Sequence, residues 1–218
     1  MSTIRFNSPP HLFDAHTHRL PQLSDKHFSV YNLRLHLPED TRKASLWLTA
    51  HPWVSASVGI HPWDSMAWTL DEVDLLTPLL TNPQIVALGE CGLDRLHNNP
   101  TANDFKHQLA LLDAQATLAQ QYHLPLILHC VKAFGELLQL RTQHPNSQWI
   151  IHGFRGKCAT AEQLWRKGIA TSFGAHYHDD ALQNCPPHLR YHESDESSWP
   201  FEQIIAKQLA SSTQTLSL

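Results

Sequence analysis

Short runs of apolar and β-branched residues recur along the chain, separated by longer amphipathic segments, and this rhythm predicts βα units around a parallel sheet. Eight runs stand out: residues 12–16 (LFDAH), 29–35 (SVYNLRL), 55–60 (SASVGI), 84–90 (QIVALGE), 124–130 (LPLILHC), 147–153 (SQWIIHG), 168–174 (GIATSFG) and 189–195 (LRYHESD). Between the fourth and fifth, Phe105, Leu109, Leu112, Ala116 and Ala119 follow the four-three spacing of a buried helical stripe, with Asn103 ahead of them as N-cap. Thr160 and Gln163 fit a capping box, and Gly168 fits the stop that ends the same helix. Pro200 suits the first turn of a final helix whose Phe201, Ile204, Ile205 and Leu209 face inward. Residues 19–28 and 176–188 read as loops. No linker or repeat marks a second domain, so the expected fold is a single α/β domain over residues 1–218, a compact (β/α)8 TIM barrel.

Composition narrows the setting. The chain has 218 residues and 42% hydrophobic content, enough for a substantial core. Sixteen Lys and Arg against 20 Asp and Glu give a net charge of -4, so no global basic field attracts nucleic acid, and a phosphate-bearing substrate needs a local site. The four cysteines form no C-x-x-C pair, and the opening MSTIRFNSPP lacks the apolar core of a secretory signal. With no apolar run near the roughly 18 to 20 residues that span a bilayer, the expectation is a cytoplasmic protein with reduced thiols and no membrane role. The 17 histidines are conspicuous, because imidazole serves both as metal ligand and as general acid or base.

In a (β/α)8 barrel reactive groups gather at the carboxyl ends of strands. His16 and His18 follow the first expected strand and His61 the third; Glu90, His129, His152 and Asp195 end or nearly end the fourth, fifth, sixth and eighth. In LFDAHTHRL the alternation of Asp14, His16 and His18 aims all three from one strand face. Taken singly, each has a bland reading: a hydrogen-bonded loop histidine, a helix-capping Glu90, an Asp195 in a solvated acidic turn. Taken together, these explanations must all coincide at one end of one barrel. Four imidazoles and two carboxylates (His16, His18, His129, His152, Glu90 and Asp195) suit Zn, Mn, Fe, Co, Ni or, less comfortably, Mg, without thiolate. That is enough for two divalent ions if one carboxylate bridges them. A pair about 3.5 to 4 Å apart acidifies water and neutralises phosphoryl oxygens, so the chemistry indicated is hydrolysis.

The stretches FDAHTH, GIHPW, LGECGLD, PLILHC, IIHGFRG with TSFG, and ESD occur in that order between about residues 12 and 209. In this the chain resembles the TatD family of metal-dependent hydrolases within the amidohydrolase-like barrels, and a short bacterial branch of it. The resemblance implies that His16, His18 and Asp195 bind one metal, that His129 and His152 bind the second, and that Glu90 bridges. It further implies that Asp195 takes a proton from the attacking water and that His61 faces the substrate. The family is described as deoxyribonucleases, so the implied substrate is DNA, cleaved as by an exonuclease, or a related phosphoester. Lys132, Arg155 and Lys157 follow the fifth and sixth strands and could meet phosphate oxygens; capping helices or lying in water is an equal reading. Asp14, deeper along its strand, suits a supporting role, accepting a hydrogen bond from a ligand or from the end of the eighth strand. Trp53, Trp63 and Trp68 flank the third strand's exit and are read as packing before base stacking.

The chain also departs from the family. Trp63 stands where many members have a second His, Val131 and Lys132 where many have an Arg, and Glu196 adds a carboxylate at the mouth. The alternative function keeps the same cage but hydrolyses a C-N bond or lactone of a small molecule, and a non-enzyme reading has the cage store or sense metal. No obligate protein partner is indicated, and a monomer is expected.

Overall fold

Strands of a parallel sheet covered on both faces must be apolar on both, and most of the short runs of this chain meet that demand, those at 29–35 and 189–195 being more polar. The structure, a computed structural model, describes residues 13–213; Leu12, the first residue of the first expected strand, lies outside them. In chain order the elements are β1 (Phe13–Thr17), β2 (Phe28–Leu35), α1 (Asp40–Ala50), β3 (Ser55–Ile60), α2 (Thr77–Leu80), β4 (Ile85–Asp94), α3 (Ala102–Gln121), β5 (Leu126–Val131), α4 (Phe134–Arg141), β6 (Trp149–Ile151), α5 (Cys158–Trp165), β7 (Ile169–Phe173), α6 (Asp179–Asn184), β8 (Arg190–His192) and α7 (Phe201–Thr213). Two 3₁₀ segments, Pro62–Ala67 and Asp71–Leu76, fill the connection from β3 to α2. The strands follow one another in the sheet as β1-β2-β3-β4-β5-β6-β7-β8, and Thr17 pairs in parallel with Asp195 beyond β8, so the fold is a (β/α)8 barrel. β1 and β7 are buried throughout. No helix among the described residues is long and apolar enough to cross a membrane.

The chain contacts group into two units, one of Asn32–Ile150 and one of the described residues up to Tyr31 together with those from Ile151 onward. In the Asn32–Ile150 unit, β4 runs ten residues, beyond the expected end at Glu90, and continues beside β5 to Asp94. Gly92 permits this: at φ +138°, a Cβ on it would lie 2.0 Å from the His129 carbonyl oxygen. Helix α3 is capped by Thr101, not Asn103, through a reciprocal pair in which the Thr101 hydroxyl accepts from the Asp104 N–H and the Asp104 carboxylate accepts from the Thr101 N–H. Its inward face carries Phe105, Leu112, Ala116 and Ala119 as expected, but Leu109 is only half-buried, and Gln108 and Gln115 are buried in the stripe. These amides hold strand ends: Gln115 Oε1 accepts from Ile60 N–H at 2.7 Å, and Gln108 Oε1 from Asp94 N–H at 2.9 Å.

In the other unit, Phe13 and Phe28 stack at 5.7 Å between β1 and β2. Helix α5 starts after Lys157, so Thr160 lies within it and caps nothing, whereas Gly168 takes a left-handed φ of +67° after its end. Part of the expected loop 176–188 is helix α6, a six-residue element too short to show a period, and it buries Ala181 and Leu182. Helix α7 buries Phe201, Ile204 and Ile205, but Leu209 is 60% exposed and Gln208 takes the inward place. Gln208 Nε2 donates to the carbonyls of Phe173 and Gly174, both at 2.9 Å, where β7 ends. The inward stripe of α7 can be checked by urea unfolding. Ile204→Ala should cost about 2 to 5 kcal/mol, and Leu209→Ala no more than about 0.5 kcal/mol. Equal losses would return Leu209 to the core.

Candidate metal centre

Strand β1 delivers His16 and His18 by its two-residue alternation, and the chain leaving β8 delivers Asp195 beside them. The backbone does the positioning: Asp195 N–H donates to the His16 carbonyl at 2.9 Å, and His18 N–H to the Asp195 carbonyl at 3.1 Å. Asp195 itself sits at φ +52°, a left-handed conformation that non-glycine residues seldom adopt and that turns the chain out of the strand. The Nε2 atoms of His16 and His18 stand 3.2 Å apart, with Asp195 Oδ1 at 3.8 and 3.6 Å from them. The His152 ring centroid is 4.3 Å from that of His16, and donor atoms of His16, His152 and Asp195 lie within 4.8 Å of one another. Two nitrogen lone-pair carriers and an acceptor-only carboxylate facing one point form a donor set that fits a divalent cation. Within this unit His152 thus lies beside His16 and Asp195; His129, with which the sequence reading grouped it, belongs to the Asn32–Ile150 unit.

Beneath these residues lies a buried polar brace. Asp14 accepts from Ser194 N–H at 2.9 Å and from the Ser194 hydroxyl at 2.6 Å, tying β1 to the residue before Asp195. Burial raises the Asp14 carboxyl to about 7, with the Ser194 bonds holding part of the shift back. Glu193, fully buried, accepts from Gly153 N–H at 2.5 Å and lies 3.7 Å from His152 Nδ1. Burial would raise its pKa, but His152, His16 and Ser172 together outweigh burial and hold it below the ordinary glutamate value.

The second group lies in the Asn32–Ile150 unit and comprises His61, Glu90 and His129, whose donor atoms also fall within 4.8 Å of one another. His61 begins the 3₁₀ turn after β3 and accepts the Trp63 N–H on Nδ1 at 3.1 Å. Its proton is thereby placed on Nε2, which donates to Glu90 Oε1 at 3.0 Å. Burial lowers the His61 pKa and Glu90 only partly restores it. Asn32 grips Glu90 twice, with Nδ2 donating to Oε2 and Oδ1 accepting from the Glu90 N–H, each at 3.2 Å. His129 lies between two carboxylates, Nδ1 at 3.1 Å from Glu90 and Nε2 at 2.9 Å from Asp94.

Asp94 accepts four hydrogen bonds: from His129 Nε2, from Trp63 Nε1 at 2.8 Å, and from the N–H groups of Leu96 and His97 at 2.7 and 3.0 Å. Burial alone would raise its pKa; the four donors reverse this and hold the carboxyl well below the ordinary aspartate value. Trp63 is drawn over the site by that bond and stacks on His97 at 4.1 Å. Of the expected phosphate contacts, Arg155 lines a cavity with Asp195, Lys157 sits at the N-cap of α5, and Lys132 is exposed after β5 at φ +55°. Asp94, Asn32 and Glu193 were not singled out from the sequence. Asp94 is four residues after Glu90 and Glu193 two before Asp195, so strand alternation around the ligands was the available signal for both. Asn32 shows only as an amide inside an apolar run.

The family model described as "TatD related DNase" matches residues 13–196. A protein named "3'-5' ssDNA/RNA exonuclease TatD" from Dickeya dadantii is 29% identical over 134 residues, covering 60% of this chain and 50% of the relative. The protein of the same name from Enterobacter lignolyticus is 33% identical over 132 residues, covering 59% of this chain and 46% of the relative. The chain thus spans about half the length of the curated relatives it matches. Among solved structures, the TatD homologue YJJV from Escherichia coli has a TM-score of 0.73 at 23% identity, covering 94% of this chain and 90% of that one. An uncharacterized amidohydrolase from Saccharomyces cerevisiae has a TM-score of 0.67 at 12% identity, covering 96% and 82%. At these identities the structural likeness speaks for the fold alone.

The Asp94 cluster makes a prediction independent of any activity. Asp94→Ala, which removes the acceptor from four donors, should lower the unfolding free energy of the metal-free protein by about 3 kcal/mol. Asp94→Asn, which keeps an acceptor but no charge, should fall between. Denaturant midpoints equal to wild type in both variants would show that the cluster contributes nothing to stability.

Proposed function

Because the chain belongs to the family of TatD-related DNases, we propose that it is a metal-dependent hydrolase of phosphodiester bonds in DNA, exonuclease-like in action, or of a related phosphoester. We assign His16, His18, His129, His152, Glu90 and Asp195 as the residues that would hold two divalent ions. The observation that carries this reading is the convergence of the His16 and His18 Nε2 atoms, 3.2 Å apart, on the Asp195 carboxylate. The names of the curated relatives, single-stranded DNA and RNA exonucleases, support the substrate class.

When bound, divalent ions lower the pKa of a coordinated water and neutralise phosphoryl oxygens. The protein's own groups supply the rest. Asp195, partly open to its cavity, accepts the proton of the attacking water. Asp94 keeps the Nε2 proton of His129 engaged, which leaves the lone pair of Nδ1, beside Glu90, free to hold a metal ion. His61, whose pKa burial lowers, gives its Nε2 proton to Glu90 Oε1 and so orients that carboxylate; we assign its ring to the wall that faces the substrate. Arg155, Lys132 and Lys157 are the cations we assign to phosphate oxygens, a local supply that a chain of net charge -4 requires.

The reading is tested by metal analysis together with a substrate panel. Wild type should retain about two divalent ions per chain, and Glu90→Gln should retain fewer. With Mn, Zn, Co or Mg added, single-stranded DNA should be hydrolysed, and Asp195→Asn should lose roughly 10²- to 10⁴-fold in rate while keeping its fold. Turnover confined to amides and lactones would overturn the nuclease reading.

A further inference from the structure

Beside Asp195 lies a cavity of about 380 Å³ whose lining includes Arg155, Glu196, Trp199 and Lys207. That volume falls within the range of sites for small ligands. Trp199 occupies the turn between β8 and α7 and is 47% exposed, so its indole is neither core nor fully solvated. Lys207 of α7 is held in place: its Nζ donates to the Ala175 carbonyl at 2.8 Å and stands 5.0 Å from the Tyr177 ring and 5.5 Å from the Trp199 ring. The ammonium group thus fixes an aromatic surface at the wall of a cavity that also holds a candidate catalytic carboxylate.

We propose that Trp199, backed by Lys207, and Arg155 form a subsite for one nucleoside unit next to the scissile phosphoester, the base stacking on the indole and the guanidinium meeting a phosphate oxygen. This rests on the nuclease reading above. The charges explain why stacking carries the recognition. Arg155 and Lys207 are set against Glu196 in the same cavity, while Asp195 and Glu193 face the histidines of the metal centre. Within this cavity the cations left over suffice for a single phosphate. A base-tolerant stack with little salt dependence is the consequence.

The test uses full-length protein with Mn and two single-stranded oligonucleotides, one normal and one with an abasic residue at the attacked end. Trp199→Ala should raise KM for the normal substrate at least about fivefold, with kcat and metal content unchanged, and Trp199→Phe should stay near wild type. The abasic substrate should be penalised in wild type and not further in Trp199→Ala. Lys207→Gln should raise KM in part, and Lys207→Arg should restore it. If wild type digests DNA but Trp199→Ala keeps its KM, changes only kcat, or retains the full abasic penalty, the subsite falls and the nuclease reading stands. If wild type digests no DNA, both fall.

Discussion

The parallel pairing of Thr17 with Asp195 is the constraint on which the placement of the β1 histidines depends. Its two backbone bonds reach Asp195 from His16 and His18, so the carboxylate and both imidazoles are set by the same rungs of one ladder. Asp14 adds a side-chain brace to the preceding residue, Ser194. Side chains alternate along a strand, so a slip of one residue would turn both imidazoles from the mouth to the other face. The brace opposes that slip, because Asp14 would lose both bonds to Ser194 at once. A buried carboxylate with a raised pKa is a costly anchor, and its place here is intelligible as a register lock.

Strand ends in a barrel create a second demand, since backbone groups there run out of ladder partners. The helices answer it with amides. Gln115 serves Ile60, immediately before His61; Gln108 serves Asp94; Gln208 serves Phe173 and Gly174. Each glutamine occupies a position in a stripe that is otherwise apolar, and each is buried. A buried amide stabilises only when its partners are in place, so these bonds hold the loops that carry chemistry more specifically than apolar contacts do.

This division also explains what could be read from the sequence. Six of the strands were legible because two-sided burial leaves a largely apolar run, whereas β2 and β8 carry polar residues along their length, and the candidate ligands stood out because polar residues break those runs at their carboxyl ends. Gln108, Gln115 and Gln208 were hidden by the assumption that a helix buries only apolar residues, and Leu209 was misplaced on α7 by the same assumption. Asp94 escaped because Gly92 lets β4 continue past Glu90, which the apolar pattern alone does not disclose. Helix α6 was too short to show a period. The caps at Asn103 and Thr160 were misplaced because several polar residues compete ahead of each helix, and only hydrogen-bond geometry selects among them.

The electrostatics of the two groups then follow from their composition. Their carboxylates are faced by imidazoles and amides in place of lysine or arginine: Glu90 by His61, His129 and Asn32 in one unit, Glu193 by His152 and Asp195 by His16 and His18 in the other. Fixed ammonium or guanidinium groups would neutralise such a cluster permanently and repel a metal. Imidazoles can yield their protons and keep their lone pairs, so each group suits a divalent cation, whose binding would release protons. On the proposed reading, a chain of net charge -4 thereby acquires its positive charge only where the reaction occurs, and Arg155 and Lys207 need only orient the substrate. The scarcity of basic residues is then consistent with work on a phosphodiester, because the cation that counts is one the protein binds and does not encode.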